Sequence, residues 1–342
     1  MDDGLVEIRF DGIRYGYWKS AEVRASVDDL CASLRLAVTL PGAGNDLGIT
    51  ANTVIDVLIA GQMVYKMRLD SLSRSVSKDS HDISIEGRTL ARELIDSQYS
   101  KTLSGLTLGE ISKRLCADFK VPLKIAAATK EVPEFSMQCE SPASALINAA
   151  RTANLLFYPM ADGGLILTEP TRDAPVTALI YGEHILDYEV TDEYSLRFSE
   201  YCVKGYDYAE NEAISGKARD DGITFYRPMH IMPDKHGHGL GGCERRAELE
   251  RNRRLARAHR ITLTVQGWRY PAGDAWRLWD INTQVRVTIP EEGIDDVFLI
   301  GERAFRLDDR GGQSTKLTVM DRAAFAGGAS KAKVVGRKGK NV

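Results

Sequence analysis

The stretch ITLTVQGWRYPAGDAWRLWDINTQVRVTIP, residues 261–290, begins as a strand, breaks into a loop and resumes as a strand. The loop holds Trp268, Trp276 and Trp279, which are three of the four tryptophans in the chain. They can form an aromatic ligand site, a platform for stacking nucleic-acid bases, or packing within a larger assembly. Indole rings supply large buried area, whereas base stacking needs rings exposed along a basic groove. We therefore favour packing, either in the loop between two strands or in a seam between subunits.

The composition is that of an ordinary globular chain, and its 342 residues are enough for two or three domains. Hydrophobic residues make up 43% and charged residues 27%, which excludes disorder throughout. The net charge of −3 argues against a protein whose main task is coating nucleic acid. The five cysteines are scattered without a CxxC pair, which favours reduced thiols and synthesis in a cytosol. We recognise no signal peptide or membrane-spanning run, so we expect no membrane anchor.

Short strands separated by turns dominate residues 1–95 and predict a small barrel or sandwich there. In the segment LRLAVTL, alternate residues from Leu34 to Leu40 share one face. The segment NTVIDVLIAGQMVYKMRL reads as a hairpin centred on Ala60-Gly61-Gln62.

The middle of the chain carries helix signals instead. Thr107 stands at a capping position with Glu110 three residues later, ahead of apolar residues at helical spacing. Ser141 and Pro142 open a second helical pattern, and a hairpin with Asp162-Gly163-Gly164 at its tip follows it. We therefore expect a small α+β insert between two β regions.

The strand signal returns from Val176 to the end of the folded chain. Residues 207–242 are polar, with glycines and histidines, and predict a long loop. A helix from Glu244 to Arg260 follows, with seven arginines and three glutamates. The predicted fold class is thus α+β and mainly β.

The arginine-rich helix has two interpretations. Arginines can bind phosphates, but Glu250 lies three and four residues before Arg253 and Arg254, a spacing that supports a helix face through ion pairs. We favour docking on an acidic protein surface, with the arginines pointing outward or into subunit contacts. The candidate interface residues on this helix are Arg245, Arg246, Arg253, Arg254 and Arg257, and the candidate acidic partners are Asp187, Glu189, Asp192 and Glu193.

The sequence offers no recognisable catalytic or cofactor motif, and we assign no catalytic, cofactor-binding or metal-binding residue. His230, His236 and His238 lie near Cys243, but their spacing matches no closed four-ligand zinc pattern. We therefore expect no cofactor and no metal.

Several motifs resemble the tail hub protein of Mu-like phages, the gene P product family. The family pattern "TV-x-GW" followed by "LW-x-x-N" is matched by Trp268, Trp279 and Asn282. The segment EGRTLARELIDSQ resembles the family junction "GR-x-x-x-x-D-L-x-D" through Gly87, Arg88, Leu94 and Asp96, while Glu93 departs from it. The match runs in order from about Val6 to Phe325, with the segments RFSEYCVKGYD and LTLGEISKRLCADFKVPL also in place.

The resemblance implies a homotrimeric baseplate hub with two tube-type β-barrel domains per chain, similar to other contractile-tail hubs and to the N-terminal part of type VI secretion spike proteins. Three chains would form a pseudo-sixfold ring in the virion that joins the tail tube to the central spike. The implied partners are a second and third copy, the tail-spike protein, and the tail tube or adjacent baseplate proteins. DNA would pass through the lumen without specific binding.

The resemblance also implies a division of the chain and a structural, non-enzymatic role, with Arg88 as a further interface candidate. A nucleic-acid-binding module and a hub-associated cell-wall hydrolase are the alternative functions. The expected parts are a first barrel at 1–95, a helical connector at 96–128, an α+β insert domain at 129–175, a second barrel with the arginine-rich helix at 176–326, and a flexible basic tail at 327–342.

Overall fold

The computed structural model describes residues 6–40, 48–78, 81–207, 211–232, 240–309 and 311–326. Strands account for 54% of the described residues and helices for 18%, which confirms the mainly β class. The basic tail at 327–342 lies outside the described residues, as do His236 and His238.

The first β region confirms the local sequence patterns. Its strands are β1 (Val6–Phe10), β2 (Ile13–Tyr15), β3 (Ser20–Ser26), β4 (Ser33–Leu40), β5 (Val54–Ile59), β6 (Gln62–Val76) and β7 (His81–Thr89). Along β4 the side chains of Leu34, Leu36 and Val38 are buried, as the alternation predicts. Ala60 and Gly61 connect β5 to β6 with φ angles of 49° and 77°. Positive φ at both turn positions gives a type I′ hairpin, whose twist suits the flanking strands.

The middle region is the predicted α+β insert. It comprises α1 (Arg92–Asp96), β8 (Tyr99–Thr107), α2 (Leu108–Asp118), β9 (Leu123–Ile125), β10 (Glu131–Glu140), α3 (Pro142–Thr152), β11 (Leu156–Pro159) and β12 (Leu165–Thr168). Thr107 and Glu110 form the predicted capping box at the start of α2. Ser141 caps α3 through the Ser144 amide, with Pro142 in the first turn. Both helices contribute fully buried leucines to a core shared with these strands.

The remainder of the chain returns to strands. Its elements are β13 (Ala178–Ile180), β14 (Ile185–Asp192), β15 (Glu200–Asp207), β16 (Glu212–Arg219), β17 (Pro228–Ile231), α4 (Leu240–Ala258), β18 (His259–Gln266), β19 (Arg269–Ala272), β20 (Ala275–Leu278), β21 (Gln284–Ile289), β22 (Ile294–Asp308), β23 (Gly312–Met320) and α5 (Ala323–Ala326). Short 3-10 turns lie at Tyr194–Leu196 and Pro290–Glu292.

Two features of this part of the chain differ from the prediction. Residues 207–242 were expected to form a long loop, but they contain β16 and β17. The buried face of β16 consists of Ile214, Gly216 and Ala218, so its apolar signal is too weak to be read as a strand. The helix α4 begins at Leu240 and ends at Ala258, because His259 and Arg260 already belong to β18.

The two β regions have the same strand order. In the first, neighbouring strands run β3-β4-β7-β6-β5, and in the second they run β14-β18-β23-β22-β21. Along the chain, the strands that occupy these five positions also follow one another in the same order in both regions. A short helix follows the last strand of each region, α1 after β7 and α5 after β23. Internal repeats are not evident in the amino-acid sequence. The repeat exists in the backbone topology.

Pairing between β3 and β22 joins the two runs, so that thirteen of the described strands form one sheet. A single bridge, Tyr181 with Ile185, links the end of β13 to the start of β14, but no ladder of strand pairing among the described residues closes either run on itself. The expected pair of closed barrels is therefore not confirmed, whereas a continuous sheet with a repeated strand order is observed.

The chain divides into two compact units. The larger comprises Met1–Tyr188 and Thr262–Val319, and the smaller comprises Glu189–Ile261 and Met320–Val342. In the smaller unit, α4 packs on β15 and β16 around Tyr201, Val203 and Ala247. The contact is close, because a Cβ atom on Gly216 would come within 2.1 Å of the Glu244 amide nitrogen. The five-part division expected from the sequence stays a prediction.

Candidate assembly interface

The seam between the two β regions is the antiparallel pairing of β3 with β22, which runs from Ser20 opposite Asp308 to Ser26 opposite Glu302. Two ion pairs reinforce it. Arg24 donates two hydrogen bonds of 2.7 Å to Glu302, and Arg306 donates one of 2.7 Å to Glu22. We refer to this pairing and its side chains as the in-chain seam.

The in-chain seam contains a buried arginine. Arg303 on β22 donates to the Trp279 carbonyl oxygen at 2.9 Å and to the Tyr65 hydroxyl at 3.0 Å. Its guanidinium group also lies 4.1 Å from the centre of the Phe305 ring. A buried charge is stabilised by such hydrogen-bond partners, and a guanidinium group is also attracted to the face of an aromatic ring. Because Tyr65 belongs to the first β region, Arg303 ties the two regions together. Sequence reasoning missed it, since nothing local marks an arginine as buried.

The environment of Tyr65 fits this role. Burial raises the pKa of Tyr65 above its ordinary value, although the nearby Arg303 charge acts in the opposite direction. The hydroxyl therefore stays protonated at neutral pH and accepts the Arg303 hydrogen bond through its oxygen.

The three tryptophans of the opening stretch have different environments. Trp268 and Trp279 are 2% and 3% exposed, whereas Trp276 is 65% exposed. The Trp268 indole nitrogen donates to the Arg306 carbonyl oxygen at 3.0 Å. The Trp279 ring lies 4.7 Å from that of Tyr270. Two of the three rings thus serve as packing, and burial removes them from any stacking platform.

The loop between the predicted strands is itself a hairpin of β19 and β20. It reaches the first β region, because Arg269 donates to the Ala60 carbonyl oxygen at 3.0 Å. Gly267 begins the turn toward the hairpin with a φ of 72°, a conformation that favours glycine. The "GW" of the family pattern is therefore a turn residue followed by a buried anchor.

Asn282 connects the second β region to the end of the insert. Its side-chain oxygen accepts from the Thr171 amide at 2.9 Å, and its side-chain nitrogen donates to the Glu169 carbonyl oxygen at 3.2 Å and to the Tyr158 hydroxyl at 3.3 Å. Its backbone has a φ of 55°, which asparagine tolerates better than most residues. The side chain and the backbone conformation both suit asparagine at this position.

Arg88 lies at the junction between the first β region and α1. It forms two hydrogen bonds with Asp70, at 2.7 and 3.1 Å, and two with Asp96, at 3.0 and 2.7 Å. Hydrogen bonding to Arg88 lowers the pKa of Asp96. The preceding Gly87 passes close to the neighbouring strand, since a Cβ there would lie 3.1 Å from the Arg68 carbonyl oxygen. Arg88 is thus a structural clamp within the chain.

The arginines of α4 contact their own unit more than expected. Glu250 lies within ion-pair distance of Arg246, Arg253 and Arg254, at 3.8, 3.7 and 2.8 Å. Arg257 donates to the Ala324 carbonyl oxygen at 3.0 Å. The prediction that these side chains point outward is wrong for Arg253, whose side chain is 8% exposed.

Arg245 is exposed, and its assignment to an interface stays a prediction. Of the acidic partners considered for the arginines, Glu193 pairs with Arg260 at 3.0 Å, and Asp192 contacts His259 at 2.7 Å instead. Because the helix packs on the sheet of its own unit, several of its arginines form ion pairs or hydrogen bonds within that unit.

A second buried ion pair lies in the smaller unit. Arg197 donates to both oxygens of Asp220, at 2.8 and 2.7 Å, and the two side chains are 4% and 6% exposed. Burial by itself raises the pKa of Asp220, but the hydrogen bonds from Arg197 and from the Gly222 amide outweigh it and lower the pKa. Such a pair is costly to break, because removing one partner leaves a buried charge.

The histidine stretch offers no metal centre within the described residues. His230 is exposed on β17, Cys243 is buried in the α4 core, and His236 and His238 fall outside the described part. Burial raises the pKa of the Cys243 thiol. No group of three or more candidate ligands occurs in the described part of the chain. None of the described helices is long and apolar enough to span a membrane.

Family models match three parts of the chain. Residues 5–89 match the N-terminal domain of Mu phage baseplate assembly protein GpP-like proteins. Residues 91–169 match the second domain of baseplate hub protein gp44-like proteins. Residues 242–327 match the fourth domain of Mu phage baseplate assembly protein GpP.

Whole-chain comparisons agree. The chain is 30% identical to baseplate hub protein gp44 of Escherichia phage Mu, over 94% of this chain and 88% of that protein. Its fold resembles the 43 kDa tail protein of prophage MuSo2 from Shewanella oneidensis, with a TM-score of 0.82, 22% identity, and coverage of 94% of this chain and 99% of that one. A component of the type VI secretion system of E. coli shares the fold more distantly, with a TM-score of 0.59, 8% identity, and coverage of 92% and 76%.

Proposed function

The chain belongs to the family of Mu phage baseplate hub proteins, and on that premise we propose that it assembles as a homotrimeric ring with pseudo-sixfold symmetry. This ring joins the tail tube to the central spike and provides a conduit for DNA. The role is structural rather than enzymatic, in the baseplate of the virion tail, after synthesis in the host cytoplasm.

The observation that carries the proposal is the repeated strand order of the two β regions, β3-β4-β7-β6-β5 and β14-β18-β23-β22-β21. A chain with two alike modules presents two similar surfaces around an axis. Three such chains place six modules in one ring, so a threefold object can contact a sixfold one. Closed rings of this kind need one head-to-tail contact that repeats.

The in-chain seam supports the same geometry. Here one module already contacts the next through β22 and β3, with Arg24–Glu302 and Arg306–Glu22 across it. Each chain thus contains one of two kinds of module contact, and assembly supplies the other. As part of this proposal, each β region forms a tube-type barrel when it packs against its neighbours in the ring.

The proposed division of the chain follows from the same idea. The first module occupies 1–95, the connector and insert domain occupy 96–128 and 129–175, the second module occupies 176–326, and the basic tail occupies 327–342. Among the candidate interface residues, Trp276 and Arg245 are exposed and accessible to a partner. The partners are two further copies, the tail-spike protein, and the tail tube or adjacent baseplate proteins.

Passage of DNA is best served by a wall that does not hold phosphates, since each Lys or Arg contact with a phosphate adds affinity. The contacts of α4 fit this requirement, because Glu250 already neutralises several of its arginines. The buried rings of Trp268 and Trp279 likewise argue against a nucleic-acid-binding module. No contact described above favours a cell-wall hydrolase.

The mass of the assembly tests the proposal. Native mass spectrometry of the purified chain is expected to give three copies, and negative-stain images are expected to show a ring with threefold symmetry. A chain that remains monomeric at every concentration would contradict the ring. Tight, salt-dependent DNA binding would contradict the passive conduit, and lysis zones on a peptidoglycan zymogram would favour the hydrolase.

A further inference from the structure

We propose that the contact between neighbouring chains is a strand pairing in which the end of β6 (residues 71–76) pairs antiparallel with β14 of the next copy. This inference rests on the proposed trimer and names the edges that form it. It is carried by the in-chain seam, which serves as the template for a second, equivalent seam.

The correspondence between strands follows from the repeated topology. β22 is the fourth strand visited in the second region, and β6 is the fourth in the first. Both have 15 residues. Likewise β14 is the first strand of its region, as β3 is of the other. The in-chain seam joins β22 to β3, so an equivalent seam joins β6 to β14.

Burial of the four edges agrees with this assignment. In β22, the residues Arg303, Ala304 and Phe305, which pair with β3, are buried. Their counterparts in β6, residues 71–73, are exposed or half-buried. Among the described strands, β6 beyond Leu69 pairs on one side alone, with β7. β14 ends the path of the sheet, and beyond the single bridge of Ile185 with Tyr181 no described pairing occupies its outer edge. Unpaired edges of this kind are templates for pairing with another chain.

The residues on one face of the two edges suit each other. Val76 and Leu186 are 62% and 58% exposed in the single chain, so each edge presents an apolar side chain that a partner strand can cover. Val76, Arg74 and Leu72 share one face of β6, because side chains alternate along a strand. Leu186, Tyr188, Val190 and Asp192 share one face of β14.

The register can be derived from the template. Counted from the start of each strand, Arg306 is the thirteenth residue of β22 and lies opposite Glu22, and Arg74 is the thirteenth residue of β6. The count along β6 includes Val64 and Asp70, which lie at bulges in its pairing with β5 and β7. Glu22 lies opposite the third residue of β4. The third residue of β18 is Ile261, and the contacts Asp192–His259 and Asp187–Thr264 place Val190 opposite it.

Arg74 therefore lies opposite Val190 of the neighbouring chain, and Val76 lies opposite Tyr188. This register covers Val76 with apolar side chains and places Arg74 diagonally across from Asp192. Diagonal neighbours are within reach of long side chains. The occupant of each edge is thus a second copy of the chain.

Cysteine pairs test the register directly. In a Cys139→Ser background, which removes the exposed native thiol, the test protein carries Arg74→Cys and Val190→Cys. Mild oxidation is expected to convert most of the protein to disulfide-linked dimers and trimers on a non-reducing gel, reversed by reductant. Directly opposite residues have the short Cβ separation that a disulfide requires.

Two matched controls define the result. Glu22→Cys with Arg306→Cys occupies the equivalent positions of the in-chain seam and is expected to crosslink within a single chain. Arg74→Cys with Glu189→Cys moves one thiol to the opposite face of β14 and is expected to crosslink several-fold less. The neighbouring pairs 72 with 192 and 76 with 188 are expected to behave as 74 with 190.

The outcomes separate this inference from the proposed function. The protein can be a trimer by native mass while the Arg74→Cys, Val190→Cys pair crosslinks no better than the Arg74→Cys, Glu189→Cys control. That result overturns the β6–β14 pairing and leaves the proposed ring intact. A monomer at all concentrations overturns both. Crosslinked trimers reached by the 74 with 190 pair support both.

A second measurement does not depend on disulfides. Leu186→Glu leaves folding intact because the side chain is exposed in the single chain. It is expected to raise the concentration at which the trimer dissociates by roughly tenfold or more, the effect of losing a buried apolar side chain. Tyr226→Glu, at a position that is more exposed (79%) and distant in sequence from both edges, is the control. Equal dissociation of the two variants would contradict the seam.

Discussion

In the first β region, residues 27–32 carry the chain from β3 to β4, whereas in the second, residues 193–258 separate β14 from β18 and contain β15–β17 and α4. A second difference follows in each region. β4 leads to β5 through residues 41–53, and β18 leads to β21 through residues 267–283, which form the tryptophan hairpin. The strand order is the same in spite of both insertions.

This comparison indicates which parts of the chain must be alike. Strands fix the sheet through pairing, while connections lie at the surface and tolerate long insertions at small entropic cost. In the proposed ring, the repeated strands would provide the common frame for six similar positions. The connections of the second region can make additional contacts without changing the strand order. The following substitutions compare how much those contacts contribute to stability.

The largest effect is expected from the tryptophan hairpin, which lies in the second region alone among the described connections. Trp279→Ala should lower the free energy of unfolding by about 3–5 kcal/mol, because a large buried ring is replaced by a cavity. It should also abolish the soluble trimer, because the cavity would displace the Trp279 carbonyl oxygen to which Arg303 of β22 donates. Urea denaturation measures the loss.

Trp276→Ala is the matched control, because Trp276 lies in the same hairpin and is 65% exposed. Its effect on the free energy of unfolding should stay within about 0.5 kcal/mol. Equal losses in the two variants would show that the hairpin does not act through burial.

The next effect concerns the 193–258 connection. Asp220→Ala should destabilise the smaller unit by about 3 kcal/mol, because Arg197 is left buried without its carboxylate. Hydrogen exchange of the Tyr201 and Val203 amides reports this loss. Asp295→Asn, which breaks an exposed Arg–Asp pair of similar geometry, is the control and should change little. A larger effect at Asp295 would refute the argument from burial.

The same pair predicts a pH dependence. The pKa of Asp220 is lowered in the folded state, so its contribution is complete above the unfolded pKa of about 4 and is lost as the pH falls toward the folded value. The stability difference between the native chain and Asp220→Ala should therefore shrink below about pH 4. A difference that stays constant between neutral and acidic pH would exclude this linkage.

A smaller effect is expected where the second region holds the insert. Asn282→Gly keeps the positive φ but removes the side-chain hydrogen bonds to Thr171, Glu169 and Tyr158. The free energy of unfolding should fall by about 1–3 kcal/mol. Asn211→Gly, at an exposed position with a φ of 54°, removes one exposed hydrogen bond, from the Tyr206 hydroxyl; it is the control and should cost less. Similar melting temperatures for the two variants would mean that the Asn282 hydrogen bonds are dispensable.

The smallest effect belongs to the in-chain seam itself. A double-mutant cycle on Arg24 and Glu302 should give a coupling of about 0.2–1 kcal/mol, because both side chains are partly exposed and screened by water. The seam would then owe its strength to strand pairing and to the buried Arg303. A coupling well above this range would place its strength in the surface charges.

Local structure was readable from the amino-acid sequence wherever neighbouring residues cause it. The capping box of Thr107 and Glu110, the Ser141 cap and the Ala60-Gly61 turn depend on contacts within a few residues, and each was confirmed. The family was also readable, because its motifs occur in order along the chain. The β16 strand was missed, since its buried face carries Gly216 and Ala218 and depends on a helix that arrives later.

The tertiary structure alone decided which distant segments meet. No local pattern near Arg24 or Glu302 predicts that β3 and β22 pair. Likewise, no local pattern distinguishes the buried Trp279 from the exposed Trp276. Strand order, burial of Arg303 and the repeat of the two regions arise from long-range pairing. Hydrophobic periodicity specifies which face of a strand is buried, but it does not specify the partner strand.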